Sequence, residues 1–284
     1  MSQLEAPQQG YPQQEMQTPG FRDQMVALCK ELGGREISHP EIGLIVAFPN
    51  KSALNQAAAE YIIAKVNEKS DGTATVATGK TYEPVWSLVK RAKDEGRVDF
   101  SNFHIDHLDG YYPYPITGAY SFRRYVNDNV TNPLGIKPEN YRLINEWAFN
   151  PHDEIREYLD YVRSHPSTFT LYGIDEEDGH LGFNPKGTPF ETEISLVKLS
   201  DAVVYRDRVE RGQDTPDHAI TLGPAAFKRS EAHLMVASGE RKGQRLNEAL
   251  TLPISPDRTA SYLRKVGDKT MIFIDEEAAS QFHW

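Results

Sequence analysis

The chain has 284 residues, of which 39% are hydrophobic and 25% are charged, proportions typical of a globular protein with a substantial core. Its 31 basic and 41 acidic residues give a net charge of −10, which excludes a general electrostatic attraction to nucleic acid or to anionic membranes. One cysteine, Cys29, excludes an internal disulfide framework and a cysteine-rich zinc site. The apolar runs are too short to span a membrane and the chain starts without a secretory signal pattern, so we expect a cytoplasmic protein.

The first 20 residues differ in composition from the rest. They contain six glutamines and three prolines and almost no large aliphatic side chains. This composition predicts a disordered or loosely attached tail over residues 1–20, with an arm that docks on a partner subunit as the alternative. We expect residues 21–284 to form a single domain, and the sequence leaves assembly into a homo-oligomer open.

Beyond residue 20 the apolar residues follow helix and strand periods in alternation. Met25 to Leu32 predict a helix that stops at Gly33-Gly34, residues 43–48 predict a buried strand, and Ser52 is the predicted cap of the next helix. Further strands are predicted over 73–78, 101–106, 169–172, 234–237 and 269–274, and helices around 85–92 and 153–164. This alternation predicts a Rossmann-like α/β fold, a mostly parallel open sheet flanked by helices on both faces. Ligands of such sheets bind at the carboxyl ends of the strands.

Two of these strand ends suggest an anion site. Thr78, Gly79, Lys80 and Thr81 lie between a strand and a helix, where backbone amides and the helix dipole attract an anion. The alternative is an ordinary turn with Thr81 as the helix cap. Lys242, after the strand over 234–237, can reach the same anion as a point charge, and its alternative is an exposed surface lysine.

A third strand end carries a candidate base. Asp106 lies between apolar neighbours in the segment His104-Ile105-Asp106-His107-Leu108-Asp109, an environment that raises the pKa of a carboxyl group and suits it to proton abstraction. Two histidines and two aspartates in this segment also resemble a metal-ligand set. Strand alternation, however, directs Asp106 and His107 to opposite faces, so we predict no metal site. A solvated polar loop is the alternative.

The fourth strand end is the segment Asp175-Glu176-Glu177-Asp178-Gly179-His180. Its titratable residues and the glycines that follow fit a loop that aims His180 into a cleft beside Asp178, where the imidazole can act as an acid or a base. The acidic residues before Asp178 are typical of a solvated turn.

In their order and spacing these segments resemble the glucosamine-6-phosphate deaminase family, which also includes the 6-phosphogluconolactonases. The resemblance spans about residues 40–280. Residues 178–184 match the family's D-G-H-I-A-F-N motif, its most specific stretch. Weaker matches lie at 78–81 (T-G-x-T), 103–106 (F-N-x-D-E-Y), 119–122 (S-Y-x-F-M), 238–243 (G-x-x-K-A) and 275–279 (D-x-x-A-A). The distinguishing motifs of the lactonase branch are absent from the sequence.

The resemblance implies an enzyme that acts on a small-molecule sugar phosphate without a metal or cofactor. The phosphate would bind the loop from Thr78 to Thr81 together with Lys242, and Arg208 is the best-aligned arginine to complete the site, with Arg206 as the alternative. Asp106 would move a proton between C2 and C1 of the open-chain sugar. His180, oriented by Asp178, would assist ring opening.

Departures from the family pattern bear on which reaction is catalysed. The glutamate that follows the family's F-N pair is Pro185 here, the acidic residue after the base is His107, and the turn before His180 is one residue longer. We therefore expect weak or no amino-sugar activity unless Glu191 or an acid of the lengthened turn (Asp175, Glu176 or Glu177) reaches His180. Two alternatives stay open: hydrolysis of a sugar lactone through a water activated by His180, and a sugar-phosphate-binding protein that has lost turnover. The sequence does not determine the hexose epimer.

Overall fold

The computed structural model describes residues 20–211 and 215–282, apart from the side chains of residues 210 and 211. The predicted tail over residues 1–20 lies outside the described residues except for Gly20, which is exposed. The division of the chain at residue 20 therefore stays a prediction.

The strands of the described chain form two sheets. In chain order they are β1 Arg35–Ile37, β2 Leu44–Phe48, β3 Thr73–Val76, β4 His104–His107, β5 Asp109–Tyr112, β6 Phe169–Tyr172, β7 Ile194–Lys198, β8 His218–Leu222, β9 His233–Ala237 and β10 Thr270–Asp275. The main sheet has seven strands in the order β1-β2-β10-β9-β6-β3-β4, all parallel except β1, which runs antiparallel to β2. The small sheet has three antiparallel strands in the order β5-β8-β7.

Helices flank the main sheet. They are α1 Phe21–Glu31, α2 Lys51–Glu68, α3 Glu83–Asp94, α4 Phe122–Val126, α5 Asn132–Leu134, α6 Pro151–Ser164, α7 Asp201–Arg211, α8 Pro224–Phe227, α9 Glu240–Thr251 and α10 Glu276–Ala279. A π-helical segment spans Asn127–Thr131, and 3-10 helical segments span Pro138–Asn140 and Thr259–Lys269. No helix in the described ranges has the length and hydropathy that a membrane span requires.

The predicted α/β fold is confirmed: a single domain is built on a mostly parallel sheet with flanking helices. Every residue of β2, β3, β6, β9 and β10 is buried, as expected for parallel strands that are covered on both faces. The predicted strand over 169–172 coincides with β6. The helix predicted around 85–92 is α3, and of its apolar residues Val85, Val89 and Ala92 are buried, whereas Leu88 is half-buried.

Two local predictions are wrong. Ser52 does not cap α2, because the helix begins at Lys51 and the Asn50 side chain accepts the hydrogen bond from the Ala53 amide at 3.0 Å. The strand predicted over 101–106 is displaced to His104–His107. Ser101 instead forms a turn whose amide donates to the Asp99 carboxylate at 2.9 Å.

The small sheet was not predicted. Only Leu108 separates β4 from β5, so the chain leaves the main sheet and enters the small sheet without a loop. The Leu222 amide of β8 donates to the Leu108 carbonyl at 2.8 Å, which joins the two sheets at this point. As a result, residues beyond the end of β4 are held rigidly beside the carboxyl ends of the main-sheet strands.

Candidate active site

A cleft of about 650 Å³ opens at the carboxyl ends of the parallel strands. It is lined by the segments that follow β3, β4 and β6, by residues before and within α4, by two residues of α7 and by one residue of α9. The lining therefore includes residues from all four strand ends that the sequence indicated, as the position of ligand sites in open α/β sheets requires.

One end of the cleft is basic and rich in backbone amides. Thr78, Gly79, Lys80 and Thr81 all line it, and Gly79 has a φ of +114°, a conformation that side chains disfavour. Lys242, from the first turn of α9, donates to the Thr81 hydroxyl at 3.0 Å. The predicted loop and the predicted lysine thus meet in space, although 161 residues separate Lys242 from Thr81.

The arginine at the cleft is Arg206, whereas Arg208 is exposed and does not line the cleft. The reason is helical geometry: two positions along α7 differ by about 200° in direction, so both side chains cannot face the same wall. The guanidinium of Arg206 donates to Asp207 Oδ1 at 2.9 Å and makes a short contact with Asp175. Arg208 is therefore not placed to complete the anion site as expected, and the arginine that the fold brings to the cleft is the alternative, Arg206.

Asp106 also lies outside the cleft. It is fully buried inside β4, opposite Thr75 in the pairing with β3, because the strand continues to His107 instead of ending at Asp106. Burial raises the pKa of the Asp106 carboxyl to about 7. A side chain with no access to the cleft cannot touch a ligand there, so the expected position of the base at Asp106 is wrong.

The carboxylate that lines the cleft is Asp109, the first residue of β5. It is 6% exposed, and burial raises its pKa to about 7, although the nearby His180 acts in the opposite direction. A signal for it was present in the sequence, because the pattern histidine, apolar residue, aspartate occurs twice, as His104-Ile105-Asp106 and as His107-Leu108-Asp109. The first copy lies inside a strand and the second lies at the cleft.

His180 is held between two carboxylates on its own loop. Its Nδ1 lies 2.7 Å from Asp178 Oδ1, and its Nε2 lies 3.9 Å from Asp175 Oδ2. Burial lowers the pKa of His180, but the hydrogen bond to Asp178 and the charge of Asp175 outweigh burial and raise the pKa above its ordinary value. The two glutamates of the lengthened turn, Glu176 and Glu177, pair instead with Arg241.

One wall of the cleft is aromatic. Phe122 and Phe183 stack with centroids 5.5 Å apart, and Tyr111 packs against both rings. Phe122 is fixed by Glu146, which is buried and accepts hydrogen bonds from the Phe122 amide at 2.8 Å and from the Ser121 hydroxyl. This wall offers an apolar surface against which the carbon face of a sugar can pack.

Known proteins are similar to this chain in sequence and in fold. No family model matches the chain. A glucosamine-6-phosphate deaminase of Streptococcus uberis is 30% identical over 211 residues, which cover 74% of this chain and 87% of that protein. The chain belongs to the glucosamine-6-phosphate deaminase family. The deaminase of Clostridioides difficile is 29% identical over 239 residues, covering 81% of this chain and 93% of that protein.

Solved structures agree with this assignment. The structure of a monomeric glucosamine-6-phosphate deaminase superposes with a TM-score of 0.78 at 28% identity, covering 84% of this chain and 99% of the other. The 6-phosphogluconolactonase of Trypanosoma brucei superposes with a TM-score of 0.68 at 15% identity, covering 83% of this chain and 97% of the other, and that likeness concerns the fold alone. The resemblance to the deaminase family inferred from the motifs is confirmed.

As a member of the deaminase family, the chain departs from the family's motif at Pro185, which does not line the cleft. Glu191 does not line it either, whereas Asp175 does and lies near His180. Of the carboxylates considered as substitutes for the missing glutamate, Asp175 is the one that the fold brings to the histidine.

Three side chains at the edge of the cleft have ligand atoms close enough together to share a cation. Within the described ranges, Asp175, Asp178 and His180 form a group whose ligand atoms lie within 4.8 Å of one another. The Arg206 guanidinium already contacts Asp175, so the chain itself supplies positive charge to this group. We assign no metal role to these residues.

Proposed function

We propose that this member of the deaminase family converts glucosamine 6-phosphate to fructose 6-phosphate and ammonia, by a proton transfer between C2 and C1 of the open-chain sugar. The observation that carries the proposal is the pairing of two acid–base groups in one cleft. Asp109 and His180 both line it, and the charge of His180 lowers the pKa of Asp109 against the effect of burial. Pairs of titratable groups whose environments differ are characteristic of acid–base catalysis.

The basic end of the cleft would hold the phosphate. Lys80 and Lys242 supply positive charge there, and the loop from Thr78 to Thr81 supplies backbone donors and hydroxyl groups. Because the whole protein carries a net charge of −10, this local grouping is what would attract a dianionic ligand. Anchoring the phosphate at this end directs the sugar carbons toward Asp109 and His180.

The reaction would begin with ring opening. His180, whose protonated form is stabilised by Asp178 and Asp175, would give its proton to the ring oxygen and take the proton of the O1 hydroxyl, which frees the C1 aldehyde. Asp109 would then take the proton from C2 while His180 returns a proton to O1, which gives an enolamine with the amino group on C2. Asp109 would deliver its proton to C1, which leaves an iminium at C2. Water would add to C2 and supply the oxygen of the ketone, and the nitrogen would leave as ammonia.

The environment of Asp109 suits this role. Burial raises its pKa to about 7, so the ionised carboxylate is a stronger base than an exposed aspartate, and it is ionised in about half of the molecules at pH 7 and in most of them above that pH. The aromatic wall of Tyr111, Phe122 and Phe183 would limit the access of water to the intermediate.

The test compares Asp109→Asn with Asp106→Asn. Both substitutions exchange a buried carboxylate for a neutral side chain of the same shape, but only Asp109 lines the cleft. Asp109→Asn is expected to reduce ammonia release from glucosamine 6-phosphate by about 10²–10⁴-fold, the usual contribution of a positioned base. Asp106→Asn is expected to stay within about threefold of the unchanged protein. The opposite pattern would return the base to Asp106.

The same assays separate the alternative functions. Hydrolysis of 6-phosphogluconolactone without ammonia release from the amino sugar would establish a lactonase. Binding of hexose phosphates in a calorimeter without any product would establish a binding protein without turnover. Either result would overturn the proposed reaction.

A further inference from the structure

The carboxylate of Asp175 occupies an unusual position. Its side chain is only 7% exposed, and one of its oxygens, Oδ2, faces both the Arg206 guanidinium and the Nε2 atom of His180. The other oxygen accepts the Glu177 amide at 2.8 Å, which fixes the turn. Asp175 therefore cannot rotate away from His180 without breaking contacts on both oxygens.

Arg206 is held as firmly as the carboxylate it contacts. Its Nε and Nη2 both donate to Asp207 Oδ1, at 3.1 and 2.9 Å. Asp207 is 1% exposed, and its second oxygen accepts a short hydrogen bond from the Tyr111 hydroxyl. A continuous polar chain thus runs from Tyr111 on β5 through Asp207 and Arg206 on α7 to Asp175 and His180.

The charges around His180 come from three elements. Asp175 and Asp178 lie on its own loop, Asp109 approaches from β5, and Arg206 approaches from α7. Asp178 is bonded to Nδ1, so Asp175 is the loop carboxylate on the side of Nε2. A proton on Nε2 would therefore lie beside Asp175. The imidazole of His180 thus has a carboxylate near each of its two ring nitrogens.

We propose that Asp175, held in place by Arg206, is a positioning residue for His180 and replaces the glutamate that the family's motif places where this chain has Pro185. This inference rests on the proposed function in assigning His180 to ring opening. The physical role of Asp175 is to stabilise the imidazolium and to fix the direction of its Nε2–H bond. An opposite charge at this range typically raises the pKa of a histidine by about one unit or more.

The test uses NMR titration of the His180 ring in the free protein, and therefore needs no substrate. Asp175→Asn is expected to lower the pKa of His180 by about one unit or more, since it removes the charge but keeps a group that Arg206 can contact. The matched control is Glu177→Gln, a neighbouring acid of the same turn that pairs with Arg241 and should leave the titration unchanged. Asp175→Glu, which retains the charge, should keep the pKa closer to that of the unchanged protein.

A second variant allows the same test if Asp175→Asn does not fold. Arg206→Lys keeps the positive charge near His180 but lacks the planar fork that joins Asp175 to Asp207. We expect the pKa of His180 to fall in this variant as well, by less than in Asp175→Asn. A titration that stays within about 0.3 units in a folded Asp175→Asn, or in Arg206→Lys if the first variant does not fold, would overturn the proposal.

Kinetics give the second readout. If the proposed reaction holds, Asp175→Asn should lower kcat on glucosamine 6-phosphate by about tenfold or more, with KM changed by less than about threefold, because Asp175 would act on His180 and not on the phosphate. The alkaline limb of the pH–rate profile should also move to lower pH. If neither the alkaline limb of the pH–rate profile nor the pKa of His180 changes, Asp175 has no role in the mechanism. If the pKa of His180 shifts in a protein that shows no turnover, only the proposed function is contradicted.

Discussion

Replacing Asp106 by Asn should change how the stability of the protein depends on pH. The carboxyl group is fully buried within β4, and burial raises its pKa from the model-peptide value of 3.8 to about 7. The folded protein therefore keeps this proton over a pH range in which the unfolded chain has already lost it. Because the folded state then binds more protons than the unfolded state, the free energy of unfolding must fall as the pH rises from about 4 to about 7.

The size of the effect follows from the shift in pKa. Each unit corresponds to about 1.4 kcal/mol, so a shift of about three units corresponds to about 4 kcal/mol of stability that is present at pH 4 and lost by pH 8. Asn carries no titratable proton, so Asp106→Asn should remove this loss. Asp109 and Glu146 also have raised pKa values, but they are present in both proteins and cancel in the difference.

The measurement is urea unfolding of both proteins at pH 4.5, 6 and 8. The free energy of unfolding of Asp106→Asn, relative to the unchanged protein, should rise by on the order of 2–4 kcal/mol between the lowest and the highest pH. Asp160→Asn, which removes an exposed carboxylate of α6, serves as the control and should follow the unchanged protein. A difference between Asp106→Asn and the unchanged protein that does not vary with pH would show that the carboxyl group is ionised in the folded state, and would refute the reasoning.

Four further outcomes can be measured by steady-state kinetics. Lys242→Met should raise KM for glucosamine 6-phosphate by about tenfold or more, because a charge-assisted contact is worth about 1.5–3 kcal/mol; an unchanged KM would contradict the phosphate site. Asp178→Asn should lower kcat by about 10- to 100-fold through loss of the 2.7 Å contact to His180, and full activity would exclude that role. The profile of kcat/KM should fall as the pH drops below about 7, where Asp109 takes up a proton, and an acid limb near pH 4 would exclude Asp109 as the base. Pro185→Glu should change kcat by less than about threefold because position 185 does not line the cleft, and a large gain would show that the family glutamate is still needed.

Much of the main sheet was accessible from the sequence because several of its strands contain apolar runs, as in Leu44–Phe48 and in the last four residues of His233–Ala237. The small sheet was not accessible from the sequence. Its strand β5 follows β4 after a single residue, so no turn marks where β5 begins, and its partner β8 lies far away in the chain, as in the pairing of Tyr111 with Ala219. The periodicity of apolar residues indicates which faces of a strand are buried, but it does not indicate which distant segment pairs with that strand.

Only part of the candidate site could likewise be predicted from the sequence. Thr78 to Thr81, Asp178, His180 and Lys242 could be placed at strand ends from the sequence, and all of them except Asp178 line the cleft. The carboxylate that lines the cleft could not be placed, because Asp106 and Asp109 have the same local pattern and only the length of β4 distinguishes them. The choice between two arginines on α7 depended on the rotation of a helix, which a single turn of sequence does not fix.

The two ends of the cleft are held by different sheets. The loop from Thr78 to Thr81 and Lys242 are anchored by β3 and β9 of the main sheet, whereas Asp109 belongs to the small sheet and Arg206 follows β7 of that sheet. Under the proposed function, local loosening of β5, β7 and β8 would leave a protein that still binds the phosphate but has no base in position. Affinity and turnover would then be lost independently, and substitutions confined to these three strands would be enough to turn an enzyme into a binding protein.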